Sequence, residues 1–231
     1  MTDATMIEAM TPTTLSAMHP AVTALCRQDR RFAQLVDYLG EIEYWRVEGD
    51  EFPYFLQLIT SQMLSTKAAD TIYARLAALC GGDVKPATIA ALSLADLKAV
   101  GLSGSKAETM HRLSEAVLTG SLDLSTLKTQ SVAEVTAQLR AIKGVGPWTV
   151  NMVLIFLLDR PDVIPVEDLT FRQGVIWLRG LKKPEDMTPA AIKARCARWQ
   201  PYASFGARYL YRAVDMGLLT TPFPTLMKGI Q

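Results

Sequence analysis

Apolar side chains recur at helical spacing along almost the whole chain, interrupted by short polar or glycine-bearing stretches. The pattern predicts one or two helices over 13–36, with Arg27, Gln28, Asp29 and Arg30 as a polar break. Gly40 to Pro53 is the least helical stretch, and Ile42, Tyr44 and Val47 suit a short extended segment there. Phe55 to Leu79 reads as one amphipathic helix with a period near 3.6, ending at Gly81-Gly82. Thr88, or Ser93 with Asp96, caps the next helix, which stops at Gly101, and Ser103 to Leu118 follows. A second capping box, Ser131 with Glu134, opens a helix reaching Lys143. Leu169–Leu178, Pro189–Arg198 and Phe205–Met216 complete the set. No run of alternating strands appears, so the expected class is all-α.

The most informative stretch is 139–168. Its first helix runs into Gly144-Val145-Gly146, Pro147 opens an almost wholly apolar helix, and a Pro-marked turn then leads to Glu167 and Asp168. Two glycines two positions apart let the backbone turn with its amides outward, and the following helix adds unpaired N–H groups and a positive dipole end. That is an anion cradle, and phosphate is the usual anion. A carboxylate downstream of a phosphate grip points to chemistry on a nucleic acid. Bare Gly-Val-Gly is a weak signal on its own.

Composition narrows the picture. The 231 residues are 49% apolar, enough for a substantial core in one domain or two small ones. Met152 to Leu158, the longest apolar run, is far too short to span a bilayer, and the polar N-terminus does not read as a signal peptide. Cys26, Cys80 and Cys196 are odd in number and far apart, which suits a reducing cytoplasm and offers no disulfide framework or zinc pattern. Net charge is only +1, but Arg172, Arg179, Lys182, Lys183, Lys193, Arg195, Arg198, Arg208 and Arg212 face only Glu185 and Asp186 between 172 and 212. Such a basic face permits DNA binding and equally suits a solvated helix surface. His19 and His111 have no partner at ligand spacing, so no catalytic metal is expected.

The hairpin positions Leu139, Ile142, Gly144, Val145, Gly146 and Thr149, with Asp168 one helix further on, resemble the helix-hairpin-helix DNA glycosylase superfamily. Val166 to Gln173, V-E-D-L-T-F-R-Q, resembles the P-D-D-Y-L-I-K-Q block of its 3-methyladenine DNA glycosylase II (AlkA-like) branch. The family's G-L-S-x-x-K-A block is matched by Gly101, Leu102, Ser103, Lys106 and Ala107, and its aromatic block by W-x-P-Y-A-S-F-G-A-R-Y-L-Y at 199–211. The resemblance covers most of 18–215.

It implies a two-lobed helical fold with the active site in the cleft between lobes. Residues 53–164, with the hairpin at about 136–158, would form one lobe, and 1–52 with 165–231 the other. Too few residues precede the Phe55 helix for the N-terminal β domain of larger members, so that domain is expected to be absent. The implied activity is monofunctional excision of alkylated bases from double-stranded DNA, by base flipping and N-glycosidic hydrolysis in base excision repair. A monomer is expected, in the cytoplasm and at the nucleoid of a bacterium, or in the nucleus of a eukaryote. Lesions would include 3-methyladenine and 7-methylguanine, with 1-methyladenine and ethenoadenine left open.

By this resemblance Asp168 is the catalytic carboxylate, although spacing alone does not separate it from Glu167, and an Asp there also reads as a helix N-cap. Trp148, Met152 and Tyr211 would line the base pocket. Trp148 stands where lyase members carry the lysine that forms a Schiff base, and Met152 and Tyr211 replace a Tyr and a Trp of better-known members. Fewer electron-rich rings put the preference for cationic bases in question. Met63, with Gln62 beside it, would wedge into the duplex, although a Met on an amphipathic helix is also ordinary core. The amides of Gly144 and Gly146, with Thr149, would face phosphate, and Lys106 near a helix start could touch another. Family hairpins can hold a sodium or potassium ion on backbone carbonyls, here those of Arg140, Ile142 and Val145. The four clustered cysteines of an iron–sulfur cluster are missing. Two other readings remain: a non-catalytic hairpin module that only grips DNA, and a glycosylase for oxidised or deaminated bases.

Overall fold

The computed structural model describes residues 10–228. In chain order its elements are β1 (Met10–Leu15), α1 (Pro20–Gln28), α2 (Arg30–Leu39), β2 (Ile42–Val47), α3 (Glu51–Ser61), α4 (Thr66–Leu79), α5 (Pro86–Ala91), α6 (Leu94–Ala99), α7 (Gly104–Leu118), α8 (Val132–Arg140), α9 (Pro147–Met152), α10 (Leu169–Arg179), α11 (Pro189–Cys196), α12 (Ala203–Asp215) and α13 (Phe223–Lys228). Short 3-10 turns connect several of them. The fold is mostly helical, as expected from the periodicity, and β1 and β2 form one two-stranded sheet. No described helix is long and apolar enough to cross a membrane. The polar N-terminus read above lies outside the described residues.

The chain forms two compact units. One holds Met10, Thr11 and 46–159; the other holds 12–45 and 160–228. In the first, α3 buries Phe52, Phe55, Leu56 and Ile59 and packs on α4 and α7. Burial of each such side chain contributes about 1.5–3 kcal/mol. Arg46 and Asp159, the first and last residues of this unit's long stretch, are joined by an ion pair of 3.0 Å. In the second unit α10 and α12 pack so closely at Gly174 that an added Cβ would lie 3.1 Å from Leu210 Cβ.

Asp29 organises the second unit's core. It ends α1 and caps α2 by accepting from Phe32 N–H, and Arg179 and Trp199 Nε1 both donate to its carboxylate. The polar break expected at 27–30 is therefore a single buried residue with three partners. Trp199, the first ring of the aromatic block, is fully buried, and a Cβ on Gly206 would come within 2.7 Å of its ring.

Two departures from the sequence expectation have physical causes. The segment expected to begin a helix at 13 is instead the end of β1, whose Thr-rich M-T-P-T-T-L suits an extended edge strand better than a helix. The single helix expected over 55–79 is two, α3 and α4. Ser65 restarts the helix by accepting from Ala68 N–H, and Gln62 to Leu64 form the turn before it. The apolar Met63 and Leu64 carry the periodicity across the gap and conceal the break.

Candidate active site

The hairpin is built as its sequence dictates. Ser131 and Glu134 form a reciprocal capping box on α8, the turn at 141–146 follows, and Pro147 occupies the first turn of α9, where no N–H is needed. Gly144 adopts φ +102°, a left-handed value that disfavours side chains. Thr109 packs against it so tightly that a Cβ would fall 1.8 Å from Thr109 Oγ1. Gly146 differs: its φ is −89°, and nothing lies within 4 Å of a Cβ placed there.

Helix α7 braces this turn. Thr109 Oγ1 and an Arg112 nitrogen stand 3.4 and 3.3 Å from the Lys143 carbonyl. One turn earlier, Lys106 Nζ donates to the Thr60 carbonyl at the end of α3, at 2.9 Å. Lys106, expected near a phosphate, is thus buried, and burial lowers its pKa by disfavouring the ammonium. Thr149 is also turned inward: its hydroxyl accepts from Gln62 Nε2 at 2.9 Å, and the residue is only 1% exposed.

Between α3 and α4 the chain makes a tight turn. Gln62 (φ −50°, ψ 124°) precedes Met63 at φ +55°, and Leu64 N–H closes onto the Ser61 carbonyl at 3.1 Å. This is type II geometry, in which glycine or asparagine is the usual third residue. Methionine occupies it here and is 100% exposed. A large apolar side chain in a strained conformation and wholly exposed to solvent contributes nothing to the core, so packing does not account for it.

After Gly146, Trp148 is half-buried near the start of α9, and Met152 is buried at its end, where the helix widens into a π turn over Val153–Leu157. The left-handed Asp159 (φ +50°) follows this segment.

Asp168 and Glu167 lie in the second unit. Asp168 caps α10, its Oδ1 accepting from Phe171 N–H at 2.7 Å, and only 8% of the residue is exposed. Glu167 beside it is exposed. The two neighbouring acids thus differ in burial. The incoming loop is fixed on the start of α12: Ser204 N–H donates to the Pro161 carbonyl, and Ser204 Oγ accepts from Val163 N–H, both at 3.0 Å.

The same packing brings Tyr211 to Asp168. The Tyr211 residue keeps some exposure while its hydroxyl is shut off from water. Burial, then the Asp168 charge and a hydrogen bond to Asp168, push its pKa well above the ordinary value, against a smaller opposing effect of Arg208. Asp168 and Tyr211 are therefore one constellation. Arg208 is buried with its guanidinium 3.9 Å over the Tyr44 ring, a contact with no local sequence signal. With Arg179 held by Asp29 and Arg195 by Asp186, the basic face read from sequence shrinks to Lys182, Lys183, Lys193, Arg198 and Arg212 as its exposed members. Among the described residues no cluster of His, Cys, Asp and Glu could hold a metal ion.

Known proteins resemble the chain in both sequence and fold. The chain is 30% identical to DNA-3-methyladenine glycosylase 1 of Schizosaccharomyces pombe, over 84% of its own length and 86% of the relative's. Its fold is similar to the crystal structure of a DNA-3-methyladenine glycosidase from Bacillus halodurans, with a TM-score of 0.74 and 31% identity, over 89% of this chain and 94% of that one. The S. pombe 3-methyladenine DNA glycosylase in complex with abasic DNA gives a TM-score of 0.76 at 28% identity, over 84% and 96%. The model of the HhH-GPD superfamily, base excision DNA repair proteins, matches residues 56–201, the stretch that holds the hairpin, Asp168 and Trp199. On these matches the chain belongs to the HhH-GPD superfamily of base excision DNA repair proteins.

Proposed function

We propose that this protein is a monofunctional DNA glycosylase that removes alkylated bases, 3-methyladenine and 7-methylguanine first among them, from double-stranded DNA. The observation that carries the reading is Asp168: a buried carboxylate held by the N-terminus of α10, in a chain whose relatives are named 3-methyladenine glycosylases. Cleavage of the glycosidic bond gives the sugar oxocarbenium character, and a fixed carboxylate stabilises that charge or orients the attacking water. N-alkylated purines leave from an already cationic state, so a second acid is not required. A binding module that only grips the backbone has no use for a buried acid beside a Tyr with a sealed hydroxyl.

Trp148 supports the absence of lyase chemistry, because its indole cannot form the Schiff base that a lysine amine forms. The hairpin amides of Gly144 and Gly146 face phosphate in this reading. The carbonyls of Arg140, Ile142 and Val145 are hard oxygen donors of the kind a sodium or potassium ion takes, and those of Arg140 and Ile142 lie at the negative end of α8. When bound, such an ion supplies positive charge beside the phosphate. The protein acts as a monomer in this proposal.

A panel of duplexes, each with one lesion, tests the activity. Release of 3-methyladenine or 7-methylguanine, with strands breaking only after heat or alkali, is the expected result. A borohydride-trapped adduct would assign the protein to the lyase class, and DNA binding without release of any base would leave only the backbone-gripping module.

A further inference from the structure

We infer that Gln62 is a positioning residue that ties the Met63 turn to the hairpin and does not itself enter the duplex. The inference deepens the glycosylase reading by dividing the roles of two neighbouring residues. The Gln62 amide has two N–H donors. Its nitrogen lies 2.9 Å from Thr149 Oγ1 and 3.4 Å from the Gly144 carbonyl, so both donors are directed at the hairpin. To enter a gap in the DNA, the side chain would give up both contacts and leave Thr149 Oγ1, inside a residue 1% exposed, without this donor. Met63 has the opposite character: apolar, fully exposed and held outward by the turn.

Helix α7 makes the connection rigid from behind. Lys106 holds the last turn of α3 at Thr60, and Thr109 with Arg112 holds the hairpin at Lys143. The Met63 turn and the phosphate grip are therefore fixed to each other twice, once directly through Gln62 and once through α7. A hairpin seated on the backbone thereby sets the depth at which Met63 stands.

The discriminating variant is Gln62→Met. It keeps the length of the side chain, loses both amide contacts, and would serve as a wedge at least as well as glutamine, since apolar side chains suit that role. The readout is a duplex with an abasic analogue beside 2-aminopurine, whose fluorescence rises when insertion unstacks it. Gln62→Met is expected to weaken insertion about tenfold while the salt dependence of binding, which counts phosphate contacts, stays at the wild-type slope. Thr149→Val, isosteric and probing the same tie from its other end, should give the same loss. The double variant should be no worse than either single. Thermal midpoints show whether each variant is folded, and Thr149→Val decides alone if Gln62→Met is not.

A full signal in Gln62→Met, independent and additive losses, a changed salt slope, or a wild type that never unstacks the probe would each overturn the inference. A wild type that inserts but releases no base would instead sink the glycosylase reading and leave the division of roles intact.

Discussion

Thr109 Oγ1 occupies the space where a Cβ on Gly144 would stand, 1.8 Å away, whereas a Cβ on Gly146 would meet nothing within 4 Å. The two glycines of the hairpin are therefore not equivalent. Gly144→Ala should lower the thermal midpoint and weaken binding to all DNA sequences alike, with a left-handed conformation costing on the order of 1–3 kcal/mol before the clash is counted. Gly146→Ala should keep the midpoint, and any effect should be confined to DNA affinity. Equal thermal losses in the two variants would mean that the Thr109 contact is not what requires glycine.

Asp168 caps α10, and in the proposed reading it has a second, catalytic duty that substitution can separate from the first. Asparagine caps a helix about as well as aspartate, so Asp168→Asn should unfold at nearly the wild-type temperature and still bind abasic-analogue DNA. Its base release should fall at least about a hundredfold, because the charge that answers the oxocarbenium ion is gone. Asp168→Ala should lose the same activity and about 1 kcal/mol of stability besides. Glu167→Gln should remain active in single-turnover assays. An inactive Glu167→Gln beside an active Asp168→Asn would reverse the assignment.

Met63→Gly should separate stability from activity in the other direction. Glycine accepts φ +55° without strain, so the thermal midpoint should hold or rise, while excision falls because nothing replaces the flipped base. A variant that excises at the wild-type rate would remove Met63 from the mechanism.

The Asp29 cluster predicts how the fold responds to acid. Burial by itself would raise the Asp29 pKa, but hydrogen bonds from Arg179 and Trp199, the Arg179 charge and the Phe32 N–H together leave it below the ordinary 3.8. The unfolded chain then binds this proton more readily than the folded one. The stabilisation is fully present above 3.8 and is lost as pH falls through the lower folded value. Asp29→Asn should cost about 3–5 kcal/mol near neutrality, because it leaves Arg179 without its counter-charge. It should also flatten the acid limb of stability measured by urea unfolding. An unchanged acid limb would place the titration on other carboxylates.

What sequence made legible was local. The hairpin could be read because a capping box, a glycine turn and a Pro at a helix start all lie within one short stretch, and each has its cause in its own backbone. Asp168 could be placed as a helix cap for the same reason. What stayed hidden depends on partners distant in the chain. Lys106 turns inward toward Thr60, Arg179 toward Asp29, and Arg208 over Tyr44, so three cations that looked available to DNA are held inside. The break between α3 and α4 was masked because Met63 and Leu64 extend the apolar period through a turn. Thr149 matched the hairpin pattern, but only the fold shows its hydroxyl engaged by Gln62. Burial separated Asp168 from Glu167 where spacing did not.

The ion pair between Arg46 and Asp159 closes a long segment of the chain on itself, with its two ends 3.0 Å apart at the charged atoms. Arg46 lies within β2 and Asp159 is the left-handed residue after the π turn, so the pair ties a strand to the end of the hairpin's second helix. Exposed turns inside the stretch can therefore lengthen without moving its two ends apart, since each doubling of a loop's length costs only about 0.6 kcal/mol.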